Sequence, residues 1–188
     1  MTYHSHPWHD VTTGRDAPEV VNCIIEIPEG SKGKYELRKD VGLLELNRVL
    51  FSSVHYPANY GFIPQTYCDD NDPLDILVIC SIEVYPMCIV EAKVIGVMEM
   101  IDGEEKDAKI IAIAKNDISV NYINDLSQLP PHTLVELRRF FEDYKKLEHK
   151  NVTVEQFLDK EAAYKIITEN MLLYQKNKEI LIKQNSHQ

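Results

Sequence analysis

Apolar positions change their spacing partway along this chain. Up to about position 115 they fall in short dense runs, and beyond position 133 they recur every three or four residues. The first run, Val20-Val21-Asn22-Cys23-Ile24-Ile25-Glu26-Ile27, reads as a β-strand stopped by Pro28, and Gly30, Ser31 and Gly33 mark a turn before a second run at Lys34 to Leu37. Leu43 to Leu46, Val49 to Val54, Ile76 to Ile82, Cys88 to Met100 and Lys109 to Ala114 follow as further strands. After Pro130-Pro131, Thr133-Leu134-Val135-Glu136 matches a capping box, and Leu134, Leu137, Phe141 and Tyr144 line one face of an amphipathic helix to about His149. A second box, Thr153 to Gln156, opens another helix whose apolar positions include Phe157, Leu158, Ala162, Ile166 and Leu173. Strands first and helices last predict an α+β protein, mainly β, in which two C-terminal helices pack against a small closed barrel.

At 188 residues, 44% of them hydrophobic, the chain is expected to form one domain over 1–188, with 1–16 as a mobile N-terminal arm. His4, His6 and His9 in that arm are able to pick up a transition metal adventitiously, although a mobile terminus is the simpler reading. The balance of 20 basic against 30 acidic residues gives a formal charge of −10, which argues against general affinity for nucleic acid or an anionic membrane. A metal load or a cationic substrate is easier to accommodate. No apolar run approaches the roughly 20 residues that span a bilayer, and Met1 to Asp10 lacks the apolar stretch of a secretory signal, so a cytoplasmic location is expected. Cys23, Cys68, Cys80 and Cys88 show no CxxC spacing and read as structural thiols in a reducing compartment.

The chemistry concentrates in Asp69-Asp70-Asn71-Asp72-Pro73-Leu74-Asp75, four carboxylates in seven residues that run straight into an apolar strand. In extended chain, residues two apart share a face at about 7 Å, so Asp70 and Asp72 point the same way with Asp75 at the strand mouth. Two bare carboxylates about 4 Å apart repel by roughly 4 kcal/mol at an effective dielectric near 20. A hard divalent cation, magnesium first, relieves this. A second acidic segment, Asp102-Gly103-Glu104-Glu105-Lys106-Asp107-Ala108-Lys109, also lies between apolar runs and is able to face the same cavity, or to be a solvated hairpin.

Two familiar motifs are excluded by spacing. A calcium loop of the EF-hand kind from Asp70 needs Asp or Asn at Leu74, Gly at Asp75 and Glu at Ser81. Gly30-Ser31-Lys32-Gly33-Lys34-Tyr35 has two residues between its glycines where a phosphate loop has four. Lys34, Arg48, Lys109 and the pair Tyr144-Lys145 are candidate ligands for an anionic substrate, or plain surface charges. Tyr56 to Phe62 reads as an aromatic turn whose buried hydroxyls need partners, which phosphate oxygens are able to supply. From the residues alone a nucleotide or monoester phosphatase, an oligonucleotide-binding barrel and a passive metal-binding module remain open.

The Asp70, Asp72, Pro73, Asp75 signature resembles that of the soluble inorganic pyrophosphatases of family I. Further matches follow in the family's order: Glu26-Ile27-Pro28, Lys34-Tyr35-Glu36, Arg48, Tyr56-Pro57-Ala58-Asn59-Tyr60-Gly61-Phe62, Asp107-Ala108-Lys109 and Phe140-Phe141-Glu142-Asp143-Tyr144-Lys145. The resemblance covers roughly Glu26 to Lys145. It implies a five-stranded barrel of OB type and magnesium-dependent hydrolysis of pyrophosphate to two orthophosphates by a hydroxide held between metals. It implies an inorganic diphosphatase with several Mg2+ per site, Mn2+ or Zn2+ as substitutes, Ca2+ as inhibitor, and a homohexamer.

Residue by residue, the resemblance implies that Asp70, Asp75 and Asp107 bind the two tightest metals, with Asp102 and Glu26 serving others. Asp72 corresponds to the group that orients the nucleophilic water and takes its proton. Lys34, Arg48, Tyr60, Lys109, Tyr144 and Lys145 correspond to phosphate ligands, of which Arg48, Tyr144 and Lys145 act on the departing phosphate, and Glu36 and Tyr56 support them. The chain departs from many bacterial members after Lys145, where Lys146, Lys150 and Asn151 leave the counterpart of a further lysine undecided.

Overall fold

The computed structural model describes residues 5–185. Strands β1 (Val20–Ile27), β2 (Gly33–Arg38), β3 (Leu43–Val49), β4 (Asn59–Phe62), β5 (Asp75–Ile79), β6 (Ile89–Asp102) and β7 (Glu105–Ala114) precede helix α1 (Pro131–Asp143). Strand β8 (Val152–Leu158) and helix α2 (Lys160–Asn185) complete the order. The main sheet runs β1-β4-β5-β7-β6-β8, and β1 also pairs with β6. That extra pairing closes a ring of β1, β4, β5, β7 and β6, the expected five-stranded barrel, with β8 added outside on β6.

The barrel closes because β6, at 14 residues, is long enough to serve three partners. Its first half pairs with β1 (Cys23 opposite Val90), its second half with β8 (Met100 opposite Val154), and β7 runs along nearly its whole length. Strands β5 and β7 are parallel, Ile76 opposite Ile110, and are apolar on both faces as buried parallel strands are. Leu77, Ile111 and Ile113 face a cluster with Leu137, Phe140 and Phe141 of α1. Ile76, Val78, Ile110 and Ala112 face a second cluster with Ala163 and Ile167 of α2. Strands β2 and β3 form a separate hairpin beside the barrel.

Several boundaries differ from the sequence reading. Tyr56 to Phe62 is not only a turn: Asn59–Phe62 is a fully buried central strand. It fits because Gly61 has no side chain; a Cβ there would lie 1.9 Å from the carbonyl oxygen of Ile24 on β1. The expected strand at Val49 to Val54 ends at Val49, and Phe51 is exposed. Thr153 to Gln156 caps no helix. Val152 and Val154 are buried while Thr153 and Glu155 are exposed, a two-residue period that joins them to β6 as a strand between the helices. Helix α2 starts later, where Asp159 Oδ1 accepts the Ala162 N–H at 3.0 Å. At α1 the Thr133 box is likewise not used: Pro131 is the first helical residue, Pro130 offers no side-chain cap, and the helix ends at Asp143 rather than His149.

The opening segment departs from the expectation of a mobile arm. Trp8 is 1% exposed and packs with Ile24, Phe62 and Tyr174, and its Nε1 donates to the Thr66 carbonyl at 2.8 Å. His9 is buried, stacked on Trp8, with Nδ1 at 2.9 Å from the Tyr174 hydroxyl. His6 bonds the Lys39 carbonyl through Nε2 at 2.8 Å. His4 lies outside the described residues.

Candidate active site

Five places in the fold feed one cleft of about 390 Å³. The loop between β4 and β5 supplies Asp70 and Asp72, and Asp75 opens β5. This loop is folded by its own backbone: Asp70 Oδ1 accepts the Asp72 N–H at 3.0 Å, Asn71 takes φ +70°, and the Leu74 N–H donates to Thr66 Oγ1 at 2.8 Å. The β6–β7 hairpin, turning at Gly103 with φ +68°, brings Asp102 to one side and Asp107 and Lys109 to the other. Asp107 and Lys109, two apart on β7, share a face. One step back from the paired Ile76 and Ile110, Asp75 and Lys109 meet across the parallel strands. Glu26 arrives from the end of β1, Lys34 and Glu36 from alternate positions of β2, and Tyr144 and Lys145 from just beyond α1.

The charges interleave. Lys109 is 3% exposed, its Nζ 2.6 Å from Asp75 Oδ2 and 2.8 Å from each oxygen of Asp107. Lys145 pairs with Asp102, Lys34 with Glu36, and Lys39 with Asp72. Glu26 is buried and accepts the Leu37 N–H at 2.7 Å. Burial, and then the Asp75 charge, pushes its carboxyl up to about 8. Burial raises Asp70 and Asp107 too, Asp107 against the opposing pull of Lys109. For Lys109 burial disfavours the charge, but Asp75 and Asp107 outweigh it and hold the ammonium protonated well above the ordinary lysine range. Tyr60 and Tyr144 are raised by burial, so both hydroxyls stay protonated as donors.

Glu26, Lys34, Glu36, Tyr56, Tyr60, Asp70, Asp72, Asp75, Asp102, Asp107, Lys109, Tyr144 and Lys145 all line the cleft. Arg48 does not. It pairs across the hairpin with Lys34, and its guanidinium donates to Glu148 at 2.8 Å and to Asn47 at 3.0 Å. Its Nη2 is the one buried side-chain nitrogen or oxygen among the described residues without a hydrogen-bond partner. Tyr35, Leu37, Lys39, Pro73 and Phe141 complete the lining and were absent from the sequence-based set of site residues. Lys39 lies past the end of β2, where no strand period marks it.

Among the described residues no three His, Cys, Asp or Glu side chains are drawn into a ready coordination group. Asp72, Asp75, Asp102 and Asp107 lean on lysines instead. The donor set still suits a hard divalent cation, being oxygen only, and burial raises Asp70 and Asp107 in a way that a cation relieves.

A closed five-stranded barrel whose cleft alternates carboxylates with lysines and tyrosines defines a protein built to hold a small, highly charged anion together with a cation. Comparison with known proteins narrows the class. The model of the inorganic pyrophosphatase family matches residues 23–175. The chain is 55% identical to soluble inorganic pyrophosphatase 2 of Chlamydomonas reinhardtii over 173 residues, 92% of this chain and 90% of that protein. It is 54% identical to soluble inorganic pyrophosphatase 4 of Arabidopsis thaliana over 170 residues, 90% of this chain and 79% of that protein. The crystal structure of inorganic pyrophosphatase from Thermus thermophilus superposes with a TM-score of 0.87 at 37% identity, covering 90% of this chain and 99% of that one. The chain belongs to the inorganic pyrophosphatase family. It is an inorganic diphosphatase that hydrolyses pyrophosphate, and it takes a divalent metal cofactor.

Proposed function

We propose that the metal is magnesium, that the substrate enters the cleft as magnesium pyrophosphate, and that Asp72 takes the proton of the attacking water. The observation that carries this reading is the interleaving of carboxylates and cations around one cleft, with Lys109, Lys145 and Lys34 each already beside an acid. Asp70, Asp75 and Asp107 would hold the tightest ions, with Asp102 and Glu26 serving those that accompany the substrate. A divalent ion bound there lowers the pKa of a water and offsets the charge of the diphosphate.

The chain's own residues do the rest. Lys34, Lys109, Tyr60, Tyr144 and Lys145 exchange their carboxylate or aromatic neighbours for phosphate oxygens and hold the anion in line with Asp72. Tyr144 and Lys145, adjacent in sequence with the ammonium 5.2 Å from the ring, receive the departing phosphate together. Arg48, held by Glu148 with its Nη2 left without a partner, would turn that donor to the departing phosphate, and Glu36 and Tyr56 keep Lys34 and Tyr60 in place.

We read residues 1–188 as one domain and the location as cytoplasmic; no helix among the described residues is long and apolar enough to cross a membrane. A homohexamer fits the exposed Leu43, Leu46 and Val49 on β3 and Leu172 and Ile180 on α2, apolar residues suited to contacts between copies. The direct test is phosphate release from pyrophosphate and from ATP, each with magnesium, calcium or a chelator. Fast release from pyrophosphate alone, dependent on magnesium and blocked by calcium, is the expected result. Comparable release from ATP, or full activity with calcium alone, would contradict the reading. Calcium prefers bonds of about 2.3 to 2.6 Å and looser coordination than magnesium.

A further inference from the structure

Lys39 belongs to none of the motifs by which the sequence resembles the family, yet it holds the carboxylate assigned the proton. Its ammonium pairs with Asp72 and donates to the Asn71 carbonyl at 2.9 Å. Those two contacts grip the turn at Asn71, whose φ of +70° swings Asp72 over the cleft. The anchor of Lys39 lies in the N-terminal segment. Its own carbonyl accepts from His6 Nε2 at 2.8 Å, and its ammonium stands 5.9 Å from the centre of the Trp8 ring. Trp8 donates to the Thr66 carbonyl at 2.8 Å, and Thr66 Oγ1 accepts the Leu74 N–H at 2.8 Å. Lys39 and both flanks of the aspartate loop are therefore referenced to the same few N-terminal residues.

We propose that Lys39 is a positioning residue for Asp72, and that His6 and Trp8 set its reach. The inference rests on Asp72 being the proton acceptor. The Asp72 side chain is 52% exposed on a loop, where a carboxylate without a fixed neighbour samples several rotamers. Holding one of them raises the fraction of bound substrate that faces a correctly aimed base, which acts on kcat more than on binding.

The test is steady-state hydrolysis of pyrophosphate with magnesium by the wild type, Lys39→Met, Lys39→Arg, Asp72→Asn and the double variant Lys39→Met/Asp72→Asn. Lys39→Met keeps the stem beside Trp8 and removes the charge. It is expected to lower kcat about fivefold or more while KM moves less than about twofold, with an unchanged melting temperature. Lys39→Arg is expected to recover most of the loss. Adding Lys39→Met to Asp72→Asn is expected to cost nothing further, because the lysine acts through the carboxylate. His6→Ala should lower kcat in the wild type and leave it unaltered in Lys39→Met. An unchanged kcat in Lys39→Met, a rise in KM at constant kcat, or the same loss in the Asp72→Asn background would overturn the proposal. A wild type that hydrolyses no pyrophosphate would instead overturn the functional reading beneath it.

Discussion

The ammonium of Lys109 lies 2.6 Å from Oδ2 of Asp75, 34 positions away in sequence. The parallel pairing of β5 with β7 makes the neighbours, and Asp107 on the same face of β7 adds a second carboxylate at 2.8 Å. One buried cation thus offsets two acids at the centre of the cleft.

Lys109→Met keeps the stem length and leaves Asp75 and Asp107 facing each other without a cation. Both carboxylates retain some solvent, so the metal-free variant is expected to lose about 2 kcal/mol of stability, less than a fully buried pair would cost. Magnesium is expected to stabilise the variant more than the wild type, because it relieves more repulsion. Urea denaturation of both proteins with and without magnesium measures this, and equal magnesium effects would contradict it.

Asp72→Asn is expected to fold normally, its site being half exposed, with stability within about 0.5 kcal/mol of the wild type. Turnover is expected to fall at least a hundredfold, about 2.7 kcal/mol of transition-state stabilisation. Near-normal hydrolysis in this variant would remove Asp72 from the proton-accepting role.

Gly61→Ala puts a methyl 1.9 Å from the Ile24 carbonyl oxygen, inside the β1–β4 pairing. The backbone has no flexible side chain to yield at that point. A loss of about 3 kcal/mol or more, or failure to accumulate folded protein, is expected. A variant as stable as the wild type in chemical denaturation would mean that β1 and β4 approach less closely.

Burial first, and the nearby His6, pull the His9 imidazole down to about 4 from an ordinary value of 6.5. Between those two pH values the unfolded chain binds a proton that the folded chain refuses. Stability from this group is therefore full above pH 6.5 and declines as pH falls toward 4. Melting temperatures of the wild type and His9→Gln across that range are expected to converge as the solution is acidified, and parallel curves would count against a buried neutral His9.

Most of the cleft was legible in the sequence because its residue types conflict with their surroundings. Asp75 and Asp107 are carboxylates near the ends of apolar strands and Asp70 lies in the loop leading into one, where only a shared cation or cavity makes sense of them. Lys39 and Arg48 were not legible in this way. A cation near a strand end reads identically whether it faces solvent, an acid or a substrate, and the structure turns Arg48 to Glu148 and Lys39 to Asp72. The barrel was visible in its long apolar strands, while β4, four residues long, is a strand only because β1 and β5 flank it. Thr153 to Gln156 satisfies a helix-capping pattern and a two-residue alternation equally well, and the open edge of β6 decides between them. Burial of Trp8 depends on Ile24, Phe62 and Tyr174, three residues far apart in the chain, and no local pattern encodes it.

Trp8 is the single tryptophan of the chain. Its indole is shielded from water and stands at the back of the aspartate loop, with the Lys39 ammonium 5.9 Å from the ring. The protein therefore carries its own optical probe. Indole emission responds to water and to nearby charge, so a movement of Lys39 as the cleft fills, and undocking of the N-terminal segment ahead of global unfolding, each alter a signal from one known place.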